Sequence, residues 1–429
     1  MSDTPGWQKF FPKLVLLLLF AGSMINYLHR SVLSVVIPQV RRDLGLTNAD
    51  YGLAIHAFLV MYAVFYILGG RIADRLGYRR TFTLTLFIWS LAAIAHTFVQ
   101  GVRSLVLCQA LLGVGEGSYY PTAMRGAAGL FPSASRAQAV GTILSAISLG
   151  MLLGPPLVAW TTLRYGWRNA FLLLGSLGLL LLVPWEWIHR KFPGAGITAA
   201  DRAQVQKDDS RPAAFVEHEM SLGEVLKTRK YWCVLAARAC ADSAWYFYLF
   251  WIPGYFQEVR GLSLGGVGRV LWVPYFCSFV GAHFGAAASS ALVRRGLGLH
   301  RSRKTVLLAS AALCVFSASA GFAPVTMWAL ALVSLALFAH QSYSTNIHTV
   351  ITEISPPRHV AILYGMTGAA GTLIGAAAQL VIGRVVDLHG YKPAFVWAGG
   401  MYVLAAGLVM SAGVLEPIRR RLTGRPESV

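Results

Sequence analysis

Residues 70–80 read GRIADRLGYRR and lie between two long apolar segments of this 429-residue chain. Each flanking segment offers the roughly 20 apolar residues that a helix needs to cross a bilayer. The glycine and alanine positions allow two helix ends to approach closely, and the arginines favour the cytoplasmic leaflet. This stretch therefore predicts a charged cytoplasmic turn between two membrane-spanning helices.

The composition of the whole chain agrees with a membrane protein. Hydrophobic residues make up 56% of the sequence and charged residues only 13%, and the mean hydropathy is +0.56. A soluble globular domain carries roughly 25% charged residues, so a water-soluble fold is excluded. The net charge of +19 would suggest nucleic acid as a partner in a soluble protein, but here its distribution along the chain argues against that partner.

Twelve apolar segments have the length of a membrane span. When they are threaded alternately through a bilayer, the loops on one side hold about three times as many Lys and Arg as those on the other. This bias predicts that both termini are cytoplasmic, and it indicates membrane lipid as a partner of the basic surface. The apolar N-terminal stretch is interpreted as an uncleaved first span and not as a signal peptide, since further spans follow it.

The segments form two groups of six, and the expected fold is an all-α membrane protein of two pseudo-symmetric six-helix bundles. The predicted boundaries are an N-terminal bundle at 1–188, a cytoplasmic linker at 189–230, a C-terminal bundle at 231–415 and a cytoplasmic tail at 416–429. A faint internal repeat supports two halves, because Tyr165–Phe171 and His389–Phe395 share a glycine, an aromatic, a cation and Ala-Phe at a spacing of 224 residues. Repeated halves are typical of transporters that bind substrate near the bilayer midplane.

Ionisable groups inside spans are costly and therefore indicate function. Arg30 lies within the first span, and Asn26 and Tyr27 share its helical face at spacings of four and three residues. A guanidinium group suits bidentate recognition of a carboxylate, so Arg30 is a candidate clamp for a substrate carboxylate. The alternative is that Arg30 joins helices through a carboxylate or carbonyl group of the protein.

Glu116 lies near the centre of the fourth span, in the segment Gly113-Val-Gly-Glu-Gly117. The glycines allow close helix contact, and a carboxyl group in a low-dielectric setting can take up and release a proton near neutral pH. Glu116 is therefore a candidate proton-coupling residue, and the alternative is a permanently paired structural carboxylate. The glycine pattern is not a dinucleotide-binding loop, because no strand precedes it.

The segment at 70–80 resembles the signature loop of the major facilitator superfamily, G-x-x-x-D-R-x-G-x-R-R. The resemblance implies twelve helices in two six-helix bundles and transport by alternating access. It also implies that Asp74, together with Arg75 and Arg79, belongs to a gate on the cytoplasmic side and not to the substrate pocket.

Asn26-Tyr27-Leu28-x-Arg30 and the glycine-flanked Glu116 resemble the anion:cation symporter branch, most closely its bacterial hexuronate and sugar-acid proton symporters. The resemblance implies that Tyr27, Arg30 and Tyr62 contact the substrate and that Glu116 is protonated. The expected function is uptake of a small organic anion, such as a hexuronate or aldonate, by proton symport. The expected setting is the bacterial inner membrane, with the protein as a monomer and no cofactor besides the proton.

Two positions depart from that branch. His29 stands where the sugar-acid symporters usually carry Asp, and Gln109 stands where they often carry Arg. An acid and a base are lost together, which indicates that an ion pair has been replaced. His29 is a candidate for proton coupling, and the alternative is a neutral hydrogen-bonding histidine.

Polar residues cluster in the tenth span, where His340 lies 224 residues after Glu116. Such a cluster should face a cavity, and Gln341, Ser342 and Asn346 are candidates to bind substrate hydroxyl groups. The alternative for this cluster is hydrogen bonding between helices.

The seventh span contributes a further candidate and one ion pair. Trp245 is a candidate for the pocket lining. Arg238 and Asp242 are spaced i, i+4 near the start of the span, and we expect them to be structural.

A second transport hypothesis is proton-coupled efflux. Gly141, Gly150, Gly154 and Pro155 match most of the glycine pattern of drug/proton antiporters, although the same spacing arises from tight helix packing. The chain shows no nucleophile–base pair, metal-ligand cluster or phosphate loop, so neither an enzyme nor a metal site is expected. The five cysteines lie in apolar stretches without metal or redox spacing, and no disulfide is expected.

Overall fold

The computed structural model describes residues 6–131, 133–192, 220–356, 359–416 and 418, and every regular element in these ranges is helical. The all-α prediction is therefore confirmed. Residues 193–219 of the predicted linker and 419–429 of the predicted tail lie outside the described residues. The helices are α1 (Gly6–Leu44), α2 (Asn48–Ala95), α3 (Val102–Leu130), α4 (Ser133–Lys191), α5 (Leu222–Leu226), α6 (Arg229–Glu258), α7 (Leu264–Val270), α8 (Trp272–Arg294), α9 (Leu299–Ser317), α10 (Thr326–Ile354), α11 (Val360–His389) and α12 (Lys392–Ser411), with 3₁₀ turns at His96–Phe98 and Ala318–Phe322.

Helical stretches suited to a membrane are frequent in the described part of the chain. Seven of them are long and apolar enough to cross a bilayer: Phe10–Leu44, Asn48–Phe98, Gln138–Lys191, Leu264–Arg294, Leu299–Phe322, Ile362–His389 and Lys392–Ser411. Large apolar side chains such as Leu180, Phe284 and Val381 are exposed on their outer faces. An exposed apolar surface of this kind suits contact with lipid tails and not with water.

Two of these stretches are divided by a glycine. α2 has 48 residues and would measure about 70 Å if it were straight, which is more than twice the thickness of a bilayer core. It turns at Gly77, whose φ of 79° lies in the left-handed region that favours glycine. α4 turns in the same way at Gly166, where φ is 81°. Each of the two long helices is thus divided into two segments.

Glycines on α3 allow α2 to approach closely. A Cβ atom built on Gly115 would lie 2.6 Å from Cβ of Trp89, and one on Gly117 would lie 3.0 Å from Cα of Tyr62. A larger residue at either position would push the helices apart. The prediction that this segment permits close helix contact is confirmed, and the contact places Glu116 between α3 and its neighbours.

The helix contacts fall into two sets. Within the first, α1 packs on α4 and α2 packs on α3; within the second, α8 packs on α10 and α6 packs on α11 and α12. The sets meet where α2 contacts α11, α1 contacts α6, and α4 contacts α7 and α8. A cavity lies between them.

Polar contacts between the two sets concentrate at the end of the molecule where α1 ends and α2 begins. Arg41 donates from Nη1 to Oε1 of Glu258 at 2.8 Å, which joins α1 to α6. The carboxylate of Asp387 at the end of α11 accepts from the backbone N–H groups of Asn48 at 2.9 Å and Ala49 at 2.8 Å. A carboxylate at a helix N-terminus is favourable because it satisfies unpaired N–H groups and complements the helix dipole. These contacts join the two sets at this end of the molecule.

Candidate functional site

The cavity between the two sets has a volume of about 500 Å³ and is lined by aromatic and polar side chains from both sets. A volume of this size accommodates a small organic molecule. The lining includes Tyr27, Arg30, Tyr62, Tyr66 and Tyr120 from the first set and Arg238, Asp242, Trp245, His340, Gln341, His348 and Tyr364 from the second. The sequence-predicted residues Tyr27, Arg30, Tyr62, Trp245 and Gln341 are thus brought together on one cavity.

Arg30 presents its guanidinium group in the wall of this cavity. Its Nε donates to Oε2 of Glu116 at 2.7 Å, which ties α1 to α3. The guanidinium carbon lies 4.6 Å from the ring centroid of Tyr62 and 4.7 Å from that of Tyr27, distances that suit cation–π attraction. Among the described residues, Nη2 has no hydrogen-bond partner. Arg30 therefore has donor capacity that its own protein contacts do not use.

Glu116 lies behind Arg30 and is not part of the cavity lining. Its side chain is 0% exposed, whereas that of Arg30 is 3% exposed. Oε2 accepts from Arg30, and Oε1 has no partner within the described part of the chain. An ionised carboxylate held away from water is stable only while it is paired, so the state of Glu116 depends on Arg30.

A second ion pair lines the cavity from α6. Arg238 donates from Nε to Oδ2 of Asp242 at 3.2 Å, one helical turn away. Its Nη1 donates to the hydroxyl of Thr367 on α11 at 2.6 Å, and its guanidinium carbon lies 4.9 Å from the ring centroid of Tyr364. The side chain of Asp242 is 20% exposed, so in this pair the carboxylate itself reaches the cavity.

This arrangement of two helical sets around a polar cavity matches a known family. The model of the Major Facilitator Superfamily matches residues 19–377. The chain belongs to the Major Facilitator Superfamily.

Curated members of the superfamily resemble the chain over nearly its whole length. The D-galactonate transporter of Escherichia coli O6:H1 is 26% identical over 94% of this chain and 95% of its own. The hexuronate transporter of Bacillus subtilis is 29% identical over 91% of this chain and 92% of its own. The "Probable galactarate/D-glucarate transporter" of the same species is 26% identical over 99% and 97%.

Solved structures of superfamily members share the fold. A bacterial homologue of the human lysosomal transporter Spinster, in an inward-facing and occupied conformation, aligns with a TM-score of 0.72 at 19% identity, covering 94% of this chain and 97% of its own. The inward-open xylose transporter XylE from E. coli aligns with a TM-score of 0.71 at 16% identity, covering 95% and 97%. At these identities the likeness extends to the fold alone.

The polar cluster of the predicted tenth span lies on α10, and its residues face two different sides of that helix. His340 and Gln341 line the cavity, and the ring of His340 stacks on Trp245 at a centroid distance of 4.7 Å. Ser342 is absent from the described lining and accepts from the hydroxyl of Ser310 at 3.0 Å. Asn346 is likewise absent from the described lining of the cavity.

The amide of Asn346 donates from Nδ2 to the carbonyl oxygen of Gly285 on α8 at 3.0 Å. Ser342 and Asn346 therefore occupy the helix-packing face of α10, as the alternative interpretation of this cluster describes. The physical reason is that Gly285 brings α8 so close that a Cβ atom there would lie 2.7 Å from Cα of Ser342.

Asn26 and His29 also lie away from the described lining of the cavity. Asn26 is 0% exposed, and neither polar atom of its side chain has a partner among the described residues. Nε2 of His29 lies 2.7 Å from the carbonyl oxygen of Leu174 on α4. Because a carbonyl can only accept, Nε2 carries the proton in this contact, an arrangement that corresponds to the hydrogen-bonding interpretation of His29.

The three residues of the predicted gate lie at the end of the molecule opposite Arg41. Asp74 pairs with Arg125 at 2.5 Å, and both side chains are about half exposed. Arg79 pairs with Glu186 at 2.7 Å, and Arg75 is exposed. These ion pairs stay within the first helical set, so they do not tie the two sets together in this conformation.

Sequence reasoning missed several lining residues. Tyr66 lies one turn after Tyr62, and the i, i+4 spacing was a signal for it. His348 repeats the face of His340 at a spacing of eight residues and was signalled in the same way. Tyr364 had no local signal, because it reaches the cavity only through the packing of α11 against α6.

The described residues contain no group of three or more His, Cys, Asp or Glu side chains placed to hold a metal ion. The charged groups of the cavity are instead arranged as two arginine–carboxylate pairs. Such pairs suit recognition of an organic anion through hydrogen bonds.

Proposed function

We propose that this chain is a secondary active transporter that takes up a sugar acid, of the hexuronate or aldonate class, together with a proton. Support comes from the membership of the superfamily, from relatives named as D-galactonate and hexuronate transporters, and from the charged groups of the cavity. The names of the relatives state the substrates of those proteins. The cavity supports the extension to this chain.

The observation that carries the proposal is the position of Arg30 in front of Glu116. Arg30 lines the cavity, and its carboxylate partner is sealed behind it. When Glu116 takes up a proton, the guanidinium loses its counter-ion and is available to a substrate carboxylate, which it can bind through two N–H groups. The proton and the monoanion then cross together without leaving an unpaired charge in a low-dielectric environment. Tyr27 and Tyr62 flank the bound carboxylate, and Trp245 and Gln341 contact the remainder of the substrate.

The proposed topology has twelve spans. α2 and α4 each contribute two, because Gly77 and Gly166 divide them, and α7 with α8 contributes one. Residues 1–188 and 231–415 form the two bundles, with both termini on the cytoplasmic side of the bacterial inner membrane and lipid around the outer faces. We also propose that the protein acts as a monomer.

The proposed conformation is inward-facing. The contacts of Arg41 with Glu258 and of Asp387 with the start of α2 close the end that would face the periplasm. Asp74, Arg75 and Arg79 lie at the other end, and we assign them to the gate that closes there when the transporter turns outward.

The glycine pattern that suggested efflux has a simpler explanation in the structure. A Cβ atom on Gly150 would lie 3.0 Å from Cβ of Tyr27, and one on Gly154 would lie 2.7 Å from Cβ of Ser31. These glycines therefore permit α4 to pack closely on α1, and the packing explains the spacing without an antiport motif.

Uptake by the purified protein in proteoliposomes tests the proposed function. With an imposed inward proton gradient, labelled D-galactonate or D-galacturonate should accumulate, and a protonophore should abolish the accumulation. Protein-free liposomes serve as the control. Absence of both accumulation and counterflow for every sugar acid would overturn the proposal, and proton-driven extrusion of a hydrophobic cation would favour efflux.

A further inference from the structure

Two ion pairs face one cavity, and they present opposite charges to it. In the first pair the arginine, Arg30, lines the cavity while Glu116 is 0% exposed behind it. In the second pair both members line the cavity, and the carboxylate of Asp242 is more exposed, at 20%, than the guanidinium of Arg238, at 10%. An anion that enters the cavity therefore meets a cation on one side and a carboxylate on the other.

Asp242 is held firmly in that position. Oδ2 accepts from Nε of Arg238 at 3.2 Å. The side chain also lies against α11, where a Cβ atom on Gly371 would lie 3.0 Å from Cβ of Asp242. Its carboxylate is thus held between Arg238 and α11 at the wall of the cavity.

The donors of Arg238 are largely engaged. Nε is used by Asp242, and Nη1 donates to the hydroxyl of Thr367 at 2.6 Å and to the carbonyl oxygen of Tyr364 at 3.4 Å. Because Asp242 neutralises the guanidinium, this side of the cavity offers little net positive charge to a second carboxylate. It does offer acceptors and donors side by side.

The groups around this pair are also suited to hydroxyls. His348 contacts the ring of Tyr364 at a centroid distance of 5.6 Å, and its Nε2 has no partner among the described residues. Gln341 and Thr372 line the same cavity and carry one amide and one hydroxyl. A hydroxyl group both donates and accepts, so a polyol can satisfy a carboxylate, a guanidinium and an imidazole together, whereas a carboxylate can only accept.

Resting on the proposed function, we propose that Arg238 and Asp242 form the subsite for the uncharged, hydroxylated end of the substrate and thereby select sugar acids with one carboxylate. The single carboxylate binds at Arg30. A diacid such as galactarate or D-glucarate places its second carboxylate against Asp242, and like charges in contact oppose binding strongly. The relatives named above include transporters for monoacids and for diacids, and this subsite assigns the chain to the monoacid class.

Counterflow in proteoliposomes tests the subsite. Unlabelled D-galactonate, D-galacturonate, galactarate and D-glucarate compete with the labelled monoacid, and their half-inhibitory concentrations are compared. In the wild-type protein the diacids should compete about 100-fold less well than the monoacids. The Asp242→Asn variant keeps the size and one acceptor of the side chain, removes its charge, and should narrow this ratio to less than about tenfold.

Asp50→Asn is the matched control, because it makes the same chemical change at a partly exposed position in the first turn of α2 and outside the described lining of the cavity. It should keep the wild-type ratio. Equal competition by monoacids and diacids in the wild-type protein would overturn the subsite while leaving sugar-acid transport intact, and so would an unchanged ratio in Asp242→Asn. The wild-type ratio decides the question even if the variant does not fold. If no sugar acid is transported at all, the proposed function fails and the subsite fails with it.

Discussion

The two arginines of the cavity are both paired with a carboxylate, but the pairs are built differently. Arg30 and Glu116 come from different helices and are buried together, with side chains 3% and 0% exposed. Arg238 and Asp242 are one turn apart on a single helix and reach the cavity, with side chains 10% and 20% exposed. In the proposed mechanism the first pair opens toward a ligand when Glu116 is protonated, whereas the second presents a fixed pattern of donor and acceptor. We infer that the member of an ion pair that faces the cavity determines whether the pair binds an anion or a hydroxyl group.

The largest effect is expected from Arg30→Lys. Lysine keeps the charge but loses the planar fork, so it cannot hold Glu116 or a substrate carboxylate through two parallel hydrogen bonds. Initial uptake of a sugar acid should fall at least about 100-fold, as measured in proteoliposomes with protein amounts matched by size-exclusion chromatography. Arg103→Lys, at an exposed position at the start of α3, should transport normally. Wild-type flux in Arg30→Lys would contradict the proposal that Arg30 binds the substrate carboxylate.

Glu116→Gln should separate binding from coupling. Glutamine can still accept from Nε of Arg30, but it cannot take up a proton. Proton-driven accumulation should fall more than about tenfold, while exchange of identical anions across the membrane should stay within about threefold of the wild type. Both rates are measured on the same proteoliposomes, with and without a pH gradient. An equal loss of both would mean that Glu116 has a structural role.

Breaking the pair of Arg238 and Asp242 should lower the free energy of unfolding. Arg238→Met leaves Asp242 unpaired in a largely buried site and should destabilise the protein by about 2–3 kcal/mol, somewhat below the range for a fully buried pair. The double variant Arg238→Met/Asp242→Leu should recover most of that stability but not the selectivity between monoacids and diacids. Thermal unfolding of the four proteins of this double-mutant cycle measures the coupling. Additive effects would show that the two side chains do not interact.

The smallest effect is expected on the packing face of α10. The hydroxyl of Ser342 bonds to Ser310 and does not line the cavity, so Ser342→Ala should change KM less than about twofold. Gln341→Ala, one residue earlier and on the cavity, should raise KM by about tenfold through loss of substrate hydrogen bonds. Comparison of the two KM values for the same sugar acid checks which face of α10 contacts the substrate. A larger change for Ser342→Ala would place the substrate on the other face.

Much of the fold could be predicted from local pattern. The apolar segments indicate helices because a backbone in lipid must satisfy its hydrogen bonds internally. Close helix contact at Gly115 and Gly117 followed from the absence of side chains at those positions. Arg30 and Gln341 were found because a polar group in an apolar helix needs a cavity or a partner. The place of Tyr27 was implied by the family resemblance.

The sequence by itself determined the helical class, the two-part organisation of its motifs and the presence of Arg30 and Glu116 inside spans. Only the tertiary structure decided that these two side chains bond to each other, that Asp242 faces the cavity, and that Ser342 and Asn346 face a neighbouring helix. The physical reason is that the period of a helix determines which residues share a face but not which neighbour that face meets. That choice depends on close approaches, such as that of Gly285 in α8 to α10 and that of Gly371 in α11 to α6, which arise when distant segments pack.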